Sequence, residues 1–195
     1  MLIFLRRGCF KPAEMALISD IANKTALSAY LGATLNGEVD GLTANSDHVF
    51  GLWIKGSNPP VLVIHPEGAE AARKTPEVAR LIQAGRAVLM IDAFQTGSAV
   101  APRNRSVKMF LAFNKSDDAN RVQDILTALA WLHTPETRLV GLGKAAVWCR
   151  FAAAVAGEKV DLQADLGSFK GTDQEFIDAF FVPGIQRAGG LKSAQ

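Results

Sequence analysis

From His48 onward, short apolar runs alternate with segments whose apolar positions recur at helical spacing. Val49-Phe50-Gly51-Leu52-Trp53-Ile54 predicts a strand, closed by the turn-forming Gly56-Ser57-Asn58-Pro59-Pro60. Val61–Ile64, Ala87–Ile91 and Arg138–Leu142 are almost unbroken aliphatic runs, the pattern of strands buried on both faces. Lys159–Ala164 predicts a fourth strand of this series. The intervening segments read as helices. Glu70–Ala84 turns Val78, Leu81 and Ile82 inward and stops at Gly85. Asp117–His133 repeats Val122, Ile125, Leu126, Leu129 and Leu132, with Ser116 as an N-cap and Asp117 and Asp118 in the first turn. Lys144–Ala156 is alanine-rich and is followed by Gly157, and Gln174–Phe181 is a short helix broken by Pro183-Gly184.

The order strand, helix, strand, helix, strand, helix, strand predicts an α/β domain with a mostly parallel sheet and right-handed crossovers. Upstream, Pro12–Leu31 carries loosely helical apolar spacing, and Gly32–Ser46 reads as loop. The expected division is therefore an N-terminal extension over 1–46 and an α/β domain over 47–195. A sheet of this kind takes ligands beyond the carboxyl ends of its strands. Those ends are His65-Pro66-Glu67-Gly68, Asp92-Ala93-Phe94-Gln95, Gly143-Lys144 and Ala164-Asp165-Leu166.

Composition narrows the function classes. The chain has 195 residues, 49% hydrophobic and 21% charged, with a formal net charge of +2. That balance belongs to a globular domain and gives no case for nucleic acid or an anionic membrane surface. A short basic cluster at Arg103, Arg105 and Lys108 reads as a solvated loop. Cys9 and Cys149 form no CxxC pair, and the three histidines lack ligand spacing, so no metal site or cofactor is expected. The apolar opening Met1–Leu5 is followed, not preceded, by Arg6-Arg7, which is the reverse of a secretory signal, and no apolar run is long enough to span a membrane. The chain as written is expected to be cytoplasmic.

The densest motif is Gly141-Leu142-Gly143-Lys144-Ala145-Ala146, a strand, a glycine turn and a helix start. Read as a nucleophile elbow, G-x-S-x-G, it has Gly143 where the serine belongs and Ala145 for the last glycine. Read as a dinucleotide fingerprint, G-x-G-x-x-G/A, it matches at Gly141, Gly143 and Ala146, with Asp161 about 20 residues on. Against the second reading, that fingerprint usually sits on the first strand of its domain, and here two βα units come first.

Three longer segments favour the first. Pro60 to Gly68, Ala84 to Asp92 and Phe113 to Ile125 resemble consecutive segments of α/β-hydrolases of the acetyl xylan esterase and dienelactone hydrolase-like branch. Phe180 to Ile185 and Arg187 to Gly190 resemble a further segment, so the likeness runs over about 48–190. It implies a three-layer α/β/α fold and an esterase ancestry with a Ser–Asp/Glu–His triad in that chain order. Only part carries over. Gly143 stands for the nucleophile, the Lys144 backbone N–H matches one oxyanion donor, and the His65–Gly68 turn would supply the other. The acid and histidine normally follow two later strands, which are not seen here, so the expected fold is an incomplete member that is not a triad hydrolase.

The residues left to carry chemistry are His65, Asp92 and Asp165 as catalytic candidates, and Glu67, Gly68, Gly143 and Lys144 as ligand-binding candidates, for a small molecule. Each has a plainer reading. His65 suits a hydrogen-bonded turn, Asp92 a loop cap, and Cys149 a packed helix face. Phe180, Phe181, Val182 and Ile185 are expected to lack cover where later strands would lie, which predicts a homo-oligomer through Phe180–Leu191.

Overall fold

The computed structural model describes residues 2–6, 48–102, 104, 106, 115–132, 134, 136–156, 160–164 and 172–180. They form strands β1 (Leu2–Arg6), β2 (His48–Ile54) and β3 (Asn58–Ile64), helices α1 (Ala69–Arg73) and α2 (Pro76–Gln83), then strand β4 (Arg86–Asp92). Helix α3 (Asp117–Leu132), strand β5 (Arg138–Gly141), helix α4 (Ala145–Ala156), strand β6 (Asp161–Ala164) and helix α5 (Asp173–Ala179) follow. The expected helix Pro12–Leu31 and loop Gly32–Ser46 lie outside the described residues, as do Arg103, Arg105, Lys108, Asp165 and the segment Phe181–Leu191.

The strands make one mixed sheet in the order β1-β2-β4-β3-β5-β6. The pairs β4–β3, β3–β5 and β5–β6 are parallel, as the alternation of strands and helices requires. The pairs β1–β2 and β2–β4 are antiparallel. This is an α/β chain with a mostly parallel sheet. Strand β1 is an element that the sequence reading did not assign.

The aliphatic runs are buried on both faces. Leu62, Ile64, Leu89, Ile91 and Leu139 pack with α3 and α4 through Ile125, Leu126, Val147 and Phe151. Their neighbours Val61, Val63, Val88, Met90 and Val140 pack with Ala69, Ala72, Val78 and Leu81 of α1 and α2. Successive residues alternate between faces because a strand's side chains do. Each fully buried Leu, Ile or Val of this kind contributes about 1.5–3 kcal/mol.

Three local expectations are corrected. The single helix over Glu70–Ala84 is two helices, and Ile82, expected to face inward, is exposed, whereas Val78 and Leu81 are buried. Pro76 has no N–H and its ring would strike the carbonyl one turn back, and the residue before a proline is pushed to extended backbone. Thr75 has φ −78° and ψ 146°, and its Oγ1 both accepts the Val78 N–H (3.4 Å) and donates to the Ala72 carbonyl (2.6 Å). Strand β3 begins at Asn58 and not at Val61, with a register shift between Asn58 and Val61. The shift takes up Pro59 and Pro60, which cannot donate to a ladder. Finally, Phe180 is 3% exposed. Its ring stacks on Phe176 with centroids 5.3 Å apart, and Phe176 meets Phe151 of α4 at 5.8 Å. Phe180 is therefore covered within its own chain.

Candidate functional site

Two turns meet above the carboxyl ends of β3 and β5. Ile64 pairs with Gly141 in the parallel ladder, and the Leu142 N–H extends the ladder to the Ile64 carbonyl (3.0 Å). This sets His65-Pro66-Glu67-Gly68 beside Leu142-Gly143-Lys144. The Pro66 ring is the nearest group to Gly143: a Cβ built there would lie 3.9 Å from Pro66 Cγ, with nothing else within 4 Å.

The glycine turn is tight on one side and open on the other. Gly143 has φ +53°, the left-handed region that a strand-to-helix elbow demands. The Ala145 N–H donates to the Leu142 carbonyl (3.0 Å) and the Ala146 N–H to the Gly143 carbonyl (3.1 Å), so α4 starts directly out of the turn. Gly141 lies against α4. A Cβ on it would stand 2.6 Å from Ala146 Cα and 3.0 Å from Cys149 Sγ. Gly141 is thus a packing glycine, whereas Gly143 is exposed and has room for a side chain.

The facing turn is organised by His65. Its backbone carbonyl accepts the Gly68 N–H (3.0 Å), and its Nδ1 accepts the Glu67 N–H (3.1 Å). An accepting Nδ1 puts the proton of the neutral ring on Nε2. His65 is half-buried on the rim, and Glu67 and Lys144 are exposed.

Asp92 is placed differently from a rim acid. It is 3% exposed. Its Oδ1 accepts the Ala69 N–H (2.6 Å), and its Oδ2 accepts both the N–H (2.9 Å) and the hydroxyl (2.5 Å) of Ser98. Gly68 (φ +92°) and Gly97 (φ +50°) close on this carboxylate so tightly that a Cβ on either would collide with it. The carboxylate is thus spent on backbone and serine donors, the plainer of its two sequence readings.

Of the candidates, the turn that carries His65, Glu67 and Gly68 lies beside the turn that carries Gly143 and Lys144, with Pro66 facing Gly143, and Asp92 lies beneath the first turn. It does not bring Asp161 to the rim. Asp161 opposes Arg138, while Gly141 opposes Ala164, so the acid of the dinucleotide pattern lies at the other end of the strands from the glycine turn. Cys149 is fully buried, and burial pushes its thiol well above the usual cysteine range, so it is no nucleophile in the folded chain. Among the described residues no group of three or more His, Cys, Asp or Glu could hold a metal ion, and no helix is long and apolar enough to cross a membrane.

Sequence reasoning placed Pro66 at a strand end without giving it a role, and missed Gly97 and Ser98 as parts of this region. Gly97 inside the connection after Asp92 was the available signal, since a glycine beside a strand-end acid marks a close backbone approach. Gln95, with φ +58°, carried no such signal. Its side-chain amide donates to the Ala101 carbonyl (2.9 Å) and accepts the Ala101 N–H (3.3 Å), imitating a backbone pair.

No model of a known protein family matches the chain, and no curated protein matches it.

Proposed function

We propose that this chain is an α/β-hydrolase-like protein of carboxylic-ester hydrolase ancestry, with a three-layer α/β/α fold, and that it binds a small carbonyl- or carboxylate-bearing ligand without triad hydrolysis. The observation that carries the reading is the elbow: left-handed Gly143 sits between a parallel strand and a helix, with Gly141 pressed against that helix. The sheet order, with β2 antiparallel to its neighbours and the elbow after the fifth strand, is the arrangement expected of an α/β-hydrolase. Oxyanion donors in such sites are backbone N–H groups of the residue after the nucleophile and of the loop after the third strand. Of those places Lys144 is present here, whereas in the His65–Gly68 turn the Glu67 and Gly68 N–H groups are already held by His65 and Pro66 has none.

Glycine offers no atom to attack an ester, so the site keeps the donor place at Lys144 and lacks the reagent. The test is turnover of p-nitrophenyl acetate together with labelling by a serine-directed fluorophosphonate. We expect neither above background, and chemical-shift changes at the Gly143 and Lys144 amides on titration with short-chain carboxylates. Phosphonate-sensitive turnover would overturn the loss of hydrolysis. Unmoved amides at high millimolar carboxylate would overturn the binding site.

A further inference from the structure

We propose that Asp92 is the positioning residue of this site, fixing the His65–Gly68 turn at the height where it faces Gly143. The inference rests on the preceding reading only for the use made of the site, since the positioning itself is read from the loop contacts.

The turn is held at its start by β3, where Ile64 is laddered to Gly141. Its far end passes into α1, a helix of five residues whose N-cap is Gly68 and which has no side-chain cap of its own. The first N–H of that helix, from Ala69, is taken by Asp92 from a neighbouring strand. The same carboxylate holds Ser98 by its N–H and its hydroxyl. One buried anion therefore gathers the turn after β3 and the loop after β4, and satisfies three donors. Left-handed glycines at 68 and 97 let both backbones reach it. A carboxylate that accepts several N–H and O–H donors makes stronger bonds than a neutral acceptor would. Without it, a five-residue helix has too little of its own to hold the turn's exit, because isolated turns of helix do not persist. Pro66 lies between the two ends of this span, so Asp92 governs the clearance above Gly143 through the turn and touches nothing at Gly143 itself.

The experiment uses the full chain carrying Cys9→Ser and Gly143→Cys, with the rate of maleimide alkylation at position 143 as the readout. Cys149 is buried and stays silent. Asp92→Asn is expected to raise the rate with a bulky maleimide about tenfold, as local opening does when its closing contacts are lost. Ser98→Ala keeps the charge of Asp92 and is expected to raise it about threefold, which separates geometry from electrostatics. Amide exchange in α3 is expected to stay unchanged in both variants. Folded Asp92→Asn and Ser98→Ala proteins that alkylate at the parental rate would overturn the proposal. So would a rise matched by equal acceleration throughout α3, which marks general loosening. If Asp92→Asn does not fold, Ser98→Ala decides alone. Failure of the carboxylate titration leaves this readout untouched, so the two readings fail separately.

Discussion

Gly141 and Ala146 approach so closely that the space where a Cβ of Gly141 would sit belongs to the Ala146 Cα. Two residues on, Gly143 has open space at the equivalent position, with Pro66 as its nearest neighbour. The two glycines of one turn therefore answer to different constraints, one to packing and the other to backbone conformation.

Gly141→Ala is expected to destabilise the fold by about 1–3 kcal/mol, because helix α4 must move away from β5. Gly143→Ala is expected to cost about 1 kcal/mol, the strain of a left-handed backbone with a Cβ. Urea unfolding of the two variants checks the order. Equal losses would mean that α4 does not lie where it is described.

Asp118 ties α3 to α4. Its Oδ1 accepts from Trp148 Nε1 and from Arg121 Nη1, each at 2.8 Å. Arg121 in turn donates through Nε to the Phe94 carbonyl (3.0 Å) and lies over the Trp148 ring at 4.6 Å. Asp118→Ala strands a buried indole N–H and is expected to cost about 3 kcal/mol. Trp148→Phe, which removes the donor and leaves Asp118 with Arg121, is expected to cost less. A double-mutant cycle by equilibrium unfolding measures the coupling, and additive losses would show that the bond contributes nothing.

Cys149 is expected to resist Ellman's reagent in the folded protein carrying Cys9→Ser and to react at once in 6 M guanidinium chloride, roughly the condition that unfolds most domains. Burial holds its thiol above the usual range, so raising the pH to 9 is expected to add little. Prompt reaction of the native protein would place Cys149 on the surface.

Helix α5 opens with a capping box: Thr172 Oγ1 accepts the Glu175 N–H (3.3 Å), and a Glu175 oxygen accepts the Thr172 N–H (2.6 Å). The Thr172 backbone and side-chain bonds hold the Glu175 carboxyl below the ordinary value of 4.5. A depressed folded value means that the cap's contribution is complete above the ordinary range and is lost as pH falls through the folded value. An NMR acid titration is expected to show Glu175 titrating below free glutamate, with the Thr172 amide shift following it. In Thr172→Ala the depression is expected to shrink. A Glu175 midpoint at the free value would show that the box does not form.

The core of the sheet was legible because burial on both faces leaves a plain trace: three aliphatic runs, each followed by helical spacing. What the pattern could not show was direction. Val49–Ile54 reads the same whether it runs with or against its neighbours, and its antiparallel pairing with β4 depends on partners distant in sequence. Strand β1 was opaque for a related reason, since five apolar residues followed by arginines fit several uses. At the site, glycine spacing marked the elbow, and strand ends marked His65 and Asp92. Asp92 as a loop cap was legible, but its partners were not, because Ala69 and Ser98 are an alanine used only for its N–H and a loop serine. No side-chain pattern reports a backbone donor.

The register of β1 bears on how the sheet comes together. Leu2 pairs with Leu52, whereas Val61 pairs with Val88 across a compact crossover. Closing the longer loop costs more chain entropy before any contact compensates for it, so the β3–α2–β4 crossover is the natural early nucleus and β1 a late arrival at the sheet's rim. Edge strands joined late are the first to peel away. On this account strand β1 is where the native state breathes, and β4 and β3, at the sheet's middle, sit in the part that exchanges last.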